Sequence, residues 1–313
     1  MTSKNIILIP QYNDWEALSL LIERINEDVA PDVLAATSLV IVDDCSSQEL
    51  NLTTPFQGQQ VRIVRLYRNL GHQRAIAIGL SYIAKELDCE RVIVMDADGE
   101  DAPKDINALL TASYQAPDKI IFAQRTKRQE SLTFKIFYRV YKFIFKLLTN
   151  KVITFGNFSV IPQRRLQNIV RVSEIWNNFP GGVIKSRLPY DSVPIARAKR
   201  LAGQSKMNFP SLVMHGLSTV SVLIDVAAVR ILIFSVGMSV VALGVILVVL
   251  FLKYINNASP GWASTLASTL LIVVLQSFLI SLFLVFMVLQ YRTQQQFIPV
   301  LQYREFIENV ETL

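Results

Sequence analysis

Arg91-Val92-Ile93-Val94-Met95-Asp96-Ala97-Asp98-Gly99-Glu100-Asp101 is the stretch on which the reading of this chain turns. An apolar, β-branched run stops abruptly at a turn rich in carboxylates. A short run of this kind reads as a strand covered on both faces, which delivers Asp96 and Asp98, two residues apart, into a polar turn. Such a pair suits a hard divalent cation, Mg²⁺ or Mn²⁺, which takes oxygen ligands and keeps phosphate oxygens in its shell. The competing reading is an acidic turn that caps the next helix.

Working outward, residues 1–205 alternate between strand-like and helix-like patterns. Asn5–Ile9, Leu39–Val42, Val61–Leu66, Arg91–Met95 and Lys119–Ala123 are short apolar runs, and Trp15–Asn26 and Gln73–Leu87 carry apolar residues at helical spacing. Strands separated by helices imply an α/β domain with a Rossmann-like, mainly parallel sheet, whose ligands bind beyond the carboxyl ends of the strands. Polar clusters sit at those ends: Pro10-Gln11-Tyr12-Asn13-Asp14, Asp43-Asp44-Cys45-Ser46-Ser47, Tyr67-Arg68-Asn69-Leu70-Gly71-His72 and the acidic turn itself. Any one of them is an ordinary cap or turn; four in succession point to one converging site.

The rest of the chain is apolar beyond what a simple soluble protein carries. Of 313 residues, 51% are hydrophobic, and the mean hydropathy is +0.36. The excess is concentrated in 231–252, free of charge, and 266–289, where Gln276 is the one strongly polar residue. Each is long enough to cross a hydrocarbon core of about 30 Å. Between them Lys253–Trp262 forms a polar turn with Tyr254 and Trp262 at interface depth. A C-terminal two-helix transmembrane hairpin follows, with juxtamembrane amphipathic helices over 206–230 and a tail over 290–313. Arg197, Lys199, Arg200, Lys206 and Arg230 precede the first span, whereas the connection offers only Lys253, which puts the large domain and the tail in the cytoplasm of an integral plasma or inner membrane protein. The opening Met1–Asn5 does not read as a cleavable signal peptide. Cys45 and Cys89 lack metal-ligand spacing and fit a reducing compartment. A formal charge of +6 favours anionic partners, here lipid headgroups and phosphorylated substrates rather than nucleic acid.

This succession resembles family 2 glycosyltransferases of the GT-A fold, and more narrowly the polyprenyl-phosphate glycosyltransferases related to dolichyl-phosphate mannose synthase. The resemblance covers nearly the whole chain and is carried by Ile9–Asp14, Val42–Ser46, Arg68–His72, Asp96-Ala97-Asp98 and Arg200-Leu201-Ala202-Gly203-Gln204-Ser205-Lys206. It implies that Pro10, Tyr12 and Asp14 frame the nucleotide base of a nucleoside-diphosphate sugar, with Asp43 or Asp44 accepting from base or ribose. It places Asp96 beside the sugar and Asp98 on the metal with Glu100, which stands where relatives often carry Gln. Arg68 is implied at the donor or as support for its own loop, and Lys206 at the diphosphate. His72 and His215 read as structural. Two departures stand out. The usual Asn-Glu is Asn13-Asp14, and Thr154-Phe155-Gly156-Asn157 falls where relatives carry an acidic Asp-x-Gly-Asp/Phe segment, so one proposed catalytic carboxylate is missing.

That loss bears on the acceptor. A hydroxyl nucleophile generally needs a general base, whereas a phosphate monoester, with a second pKa near about 6, is largely dianionic at neutral pH. The acceptor expected is therefore a polyprenyl phosphate such as undecaprenyl or dolichyl phosphate, attacked in an inverting displacement. Arg125 and Arg128 are candidate catalytic cations for its phosphate, against the alternative of a solvated basic loop. Lys135, Arg139, Lys142 and Lys146 recur along one stripe of Phe134–Leu148, with Phe137, Tyr141, Ile144, Phe145 and Leu148 opposite, as in a helix lying at a membrane interface among lipids. A surface helix packing its aromatics into the domain is the alternative. Other readings keep the donor site with a hydroxyl-bearing lipid or glycan acceptor, where Asp191 or Glu174 would be the base to test, or leave a catalytically idle scaffold. A two-helix anchor also leaves room for a homo-oligomer.

Overall fold

Ile6 and Leu8 pack on one side of the sheet and Ile7 and Ile9 on the other, and the same alternation repeats in Val40 and Val42 against Leu39 and Ile41. Both faces of these strands are apolar because helices cover both. The computed structural model describes residues 3–125, 143–151, 154–196, 198, 200–202, 217–256, 261–293 and 297–313. The chain forms two units: Met1–Lys135 with Ile153–Val222 and Phe297–Leu313, and Ile136–Val152 with Leu223–Gln296.

In the first unit the strands are β1 (Ser3–Gln11), β2 (Thr37–Asp43), β3 (Val61–Leu66), β4 (Cys89–Val94), β5 (Ile120–Arg125), β6 (Phe155–Pro162), β7 (Tyr190–Ile195) and β8 (Ile307–Thr312). They form one sheet in the order β7-β5-β6-β4-β1-β2-β3-β8. Strands β1 to β5 and β7 run one way, while β6 and β8 run against them, so the sheet is mixed but mainly parallel. Helices α1 (Trp15–Asp28), α2 (Pro31–Ala35), α3 (His72–Glu86) and α4 (Asp105–Gln115) follow the early strands. On the α3 face the core includes Leu80, Ile83, Phe122 and Phe179; on the α1 and α4 face it includes Leu18, Ile22, Leu109 and Phe158.

The five strands expected from sequence are present within two residues at each end. Strands β6, β7 and β8 were not. The largest difference lies at the C-terminus: residues 297–313, expected as a separate tail, rejoin the first unit, and β8 pairs antiparallel with β3. Its sequence Ile-Glu-Asn-Val-Glu-Thr is mostly exposed at the sheet edge and so lacks the apolar run that marks the inner strands. The return is fastened by ring contacts of Trp176 with Phe297 and Phe306, at 4.2 and 5.1 Å between centroids, and by Tyr303 and Arg304 on Glu86 at the end of α3.

In the second unit residues 143–149 form a helix, α5, with Lys146 exposed on it; Lys135, Arg139 and Lys142 of the expected interfacial helix lie outside the described residues. After α6 (Gln163–Ile169) and α7 (Phe179–Ser186), a helix over 217–222, α8, closes this part of the first unit. The apolar helices α9 (Ile224–Asn256) and α10 (Trp262–Thr293) are each long and apolar enough to cross a membrane. Helix α9 begins seven residues before the expected span, because Asp225 and Arg230 belong to the helix without ending it. Small residues make the seam: the Ser235 and Ser281 hydroxyls share a hydrogen bond of 2.7 Å, and Ala242 and Ala263 are buried. Close approach through small and hydroxyl side chains is how helices associate where solvent offers no hydrophobic drive. Ile233, Phe234, Leu247, Phe251 and Phe283 remain exposed, as lipid-facing residues are.

Candidate active site

Because β1 to β5 are parallel, the segments that follow Gln11, Asp43, Leu66, Val94 and Arg125 open on the same edge of the sheet. Strand β6 runs oppositely, with Ser159 opposite Val94, so its first residues reach that edge too. The topology therefore gathers residues far apart in sequence.

The acidic turn after β4 does not cap the next helix. Lys104 holds the N-cap position of α4, with no side-chain cap bond. The turn is instead folded on itself: Asp101 accepts from the Asp96 N–H at 3.2 Å, and Asp98 Oδ1 accepts from the Glu100 N–H at 3.0 Å. Gly99 takes a positive φ of 76°, and a Cβ there would meet Leu201 Cγ at 2.4 Å. Only glycine admits both the turn and the close passage of the 198–202 segment, which is tied down by Ala198 N–H to Glu100 O and Leu201 N–H to Asp98 O, each 3.0 Å.

Cationic side chains meet these carboxylates. Arg200 donates to Asp14 Oδ2 at 2.7 Å and to Asp98 Oδ2 at 3.2 Å, bridging the ends of β1 and β4. His72, at the start of α3, places Nε2 3.0 Å from Asp96 Oδ1. Burial works to lower the His72 pKa, but the Asp96 carboxylate, with Asp98 and Asp101 adding, holds it above the ordinary histidine value. Asn157, from β6, lies against both partners.

The acids after β2 are used differently. Asp44 is 3% exposed and accepts from the Leu70 and Gly71 N–H groups at 2.7 and 2.8 Å, fixing the loop that leads into α3. Burial pushes its pKa up, against the pull of those two bonds. Asp43, 1% exposed, accepts from Gln11 Nε2 at 3.0 Å, the Ser46 N–H at 3.1 Å and Arg65 Nε at 3.1 Å. Gln11 also accepts from the Asp14 N–H, so the ends of β1 and β2 form one polar floor.

Pro10 and Tyr12 lie at this edge, Tyr12 with 43% of its surface open. Arg68 is exposed in the loop after β3, and the backbone of Arg125 ends β5 at the same edge. Arg128 and Lys206 lie outside the described residues. Asp191 and Glu174 are elsewhere: Asp191 pairs with Lys119 near the start of β5, at the opposite end of the strands, and Glu174 pairs with Lys185. His72, expected as structural, stands beside Asp96, directly after the glycine of the third polar cluster, where α3 begins at this edge of the sheet.

Among the described residues no three histidine, cysteine or acidic side chains make a metal cage of their own. The set at Asp98 and Glu100 fits the other common arrangement, in which one or two carboxylates hold Mg²⁺ and substrate phosphates complete its shell. Asp98 carries a positive partner, Arg200, at this point.

The family model described as "Glycosyl transferase family 2" matches residues 6–169, more than half of the chain, and takes in the strand ends from β1 to β6. This chain belongs to glycosyl transferase family 2. Among its family 2 relatives, the undecaprenyl-phosphate 4-deoxy-4-formamido-L-arabinose transferase of Klebsiella pneumoniae is 26% identical over 281 residues, covering 82% of this chain and 78% of the relative. The uncharacterized glycosyltransferase YkcC of Bacillus subtilis is 26% identical over 286 residues, covering 85% and 82%. Crystal structures of glucosyl-3-phosphoglycerate synthase from Mycobacterium tuberculosis share the fold. The complex with phosphoglyceric acid has a TM-score of 0.52 at 13% identity, covering 72% of this chain and 80% of that one. The complex with Mn²⁺, uridine diphosphate and glucosyl-3-phosphoglycerate has a TM-score of 0.51 at 12% identity with the same coverage. The first unit is thus a GT-A domain, and the chain is a glycosyltransferase.

Proposed function

We propose that this family 2 enzyme transfers a sugar from a nucleoside-diphosphate sugar to the phosphate of a membrane-embedded polyprenol, at the cytoplasmic face of the membrane and with inversion. The carrying observation is that Asp14, Asp96 and Asp98 converge at one sheet edge and are met there by Arg200 and His72. The chain carrying this edge also holds two helices of membrane-crossing length. The names of the Klebsiella relatives supply the acceptor class.

In this reading Pro10, Tyr12 and Asp14 border the base, on the floor made by Asp43, Gln11 and Ser46. Asp44 holds the loop carrying Arg68 and His72. Asp98 and Glu100 hold Mg²⁺ or Mn²⁺, which when bound supplies Lewis-acid charge to the departing diphosphate. Arg200, on the segment that passes the acidic turn, and Lys206, six residues further along the sequence, bring further positive charge to that diphosphate. Arg125 and Arg128 receive the acceptor phosphate, and Lys135, Arg139, Lys142 and Lys146 hold their helix against anionic headgroups. A phosphate oxygen forms the new bond to the anomeric carbon as the bond to the diphosphate breaks. No base is required, in keeping with Asn157 where relatives carry a carboxylate.

The test incubates purified full-length protein with a panel of nucleotide sugars, Mg²⁺ or Mn²⁺, and undecaprenyl or dolichyl phosphate. Sugar partitioning into the organic phase only when metal and lipid phosphate are both present is the expected result. Transfer to a hydroxyl acceptor with none to lipid phosphate overturns the acceptor assignment.

A further inference from the structure

Asn157 reaches Asp96 by a route that fixes which way its amide points. The first residue of α7, Phe179, has a backbone N–H with no partner inside its own helix, and it donates to Gln73 Oε1 at 2.7 Å. A peptide N–H can only donate, so Gln73 turns its NH₂ the other way, and Nε2 donates to Asn157 Oδ1 at 3.0 Å. The Asn157 NH₂ is thereby aimed at the site: Nδ2 lies 3.4 Å from Asp96 Oδ1 and 3.0 Å from His72 Nε2. His72 Nε2 stands 3.0 Å from the same Asp96 oxygen. The Asn157 NH₂ thus sits at the His72–Asp96 contact, where it can donate to Asp96 Oδ1 or to His72 Nε2 according to the histidine's tautomer.

The chemistry explains why asparagine suits position 157 in this chain. An aspartate there would still accept from Gln73, but it would set a second anionic oxygen against Asp96. The NH₂ supplies a donor instead, and Gln73 dictates that it is the NH₂ that faces inward.

We propose that Gln73 and Asn157 are positioning residues for the transfer, a relay from the first turn of α7 that holds Asp96 in one orientation. The geometry of the relay is independent of the proposed reaction; its consequence for the donor rests on that reading.

The test separates the two. The chain has only two histidines, His72 and His215, so full-length protein labelled with ¹⁵N-histidine shows two sets of ring signals, His215 serving as the reference. Gln73→Glu keeps the acceptor for Phe179 but loses the NH₂, so Asn157 must turn its carbonyl oxygen toward Asp96. The expected result is that His72 signals move in Gln73→Glu and in Asn157→Leu while those of His215 stay. Adding Gln73→Glu to Asn157→Leu should then move His72 no further. Unmoved His72 signals in Gln73→Glu, or the same movement without Asn157, overturn the relay. For the donor, calorimetry with UDP-glucose and Mn²⁺ as the probe should show each single variant binding about tenfold more weakly at a near wild-type melting temperature, the size expected for a hydrogen bond to a charged group. In an Asp96→Asn background the same changes should cost less than about twofold. Full weakening in that background overturns the claim that both residues act through Asp96. If the wild-type protein binds no nucleotide sugar, the donor reading fails, and the histidine spectra still decide the relay.

Discussion

Asp43-Asp44 after β2 and Asp96-Ala97-Asp98 after β4 look alike in sequence, each a pair of carboxylates at the end of a buried strand. Their partners differ. Asp44 takes two backbone N–H groups, and Asp43 takes a peptide N–H, an amide and a half-buried arginine, both acids being almost wholly buried. Asp96 and Asp98 keep 25% and 20% of their side chains open and are met by the side chains of His72 and Arg200, Asp98 holding its backbone bond through Oδ1 and Arg200 through Oδ2. A carboxylate bound to the backbone fixes a loop. One paired to a long cationic side chain can exchange that partner for an incoming ligand.

The strongest way to break this contrast is Asp98→Ala. Transfer activity should fall by at least about a hundredfold, the scale of lost metal assistance, with the melting temperature unchanged. A variant that turns over at the wild-type rate would remove Asp98 from the chemistry. Asp44→Asn should do the reverse. It sets an NH₂ against one of the two N–H groups and should cost about 2 kcal/mol of stability, read from denaturant unfolding of the full-length protein.

Arg200→Gln sharpens the exchange idea. Removing the resident cation should let Mn²⁺ alone bind about fivefold more tightly, by calorimetry, even as transfer falls, because a partly buried ion pair is worth about 1 kcal/mol. Unchanged or weaker Mn²⁺ binding would show that Arg200 does not compete for Asp98. The smallest effect concerns the thiols. Burial, with Asp88 adding, pushes the Cys89 pKa up to about 12, so at neutral pH a maleimide should label Cys45 and spare Cys89. Asp44→Asn should speed Cys45 labelling by loosening its loop, and Asp98→Ala should leave the rate alone.

The inner strands were legible because helices on both sides demand apolar residues at every position, and the two long apolar runs announced α9 and α10 in the same way. Strand β8 was not, since an edge strand with most side chains in water carries little apolar signal. The acidic turn and the Arg200 segment were recognisable as motifs. That Arg200 spans Asp14 and Asp98, 186 and 102 residues away, is a product of topology that no local pattern records. Asn157 was noticed for the acid it lacks; its meaning needed β6 to run backward beside β4 and bring it to His72, 85 residues distant.

The return of residues 297–313 to the sheet also sets an order of events during synthesis. The strand that covers the outer edge of β3 emerges only after both apolar helices have been made, so the domain stays unfinished until the hairpin exists. A chain whose second helix failed to come back would leave β3 with a bare edge and Trp176 without its aromatic neighbours. Completion of the sheet thus doubles as a check that both apolar helices are in place.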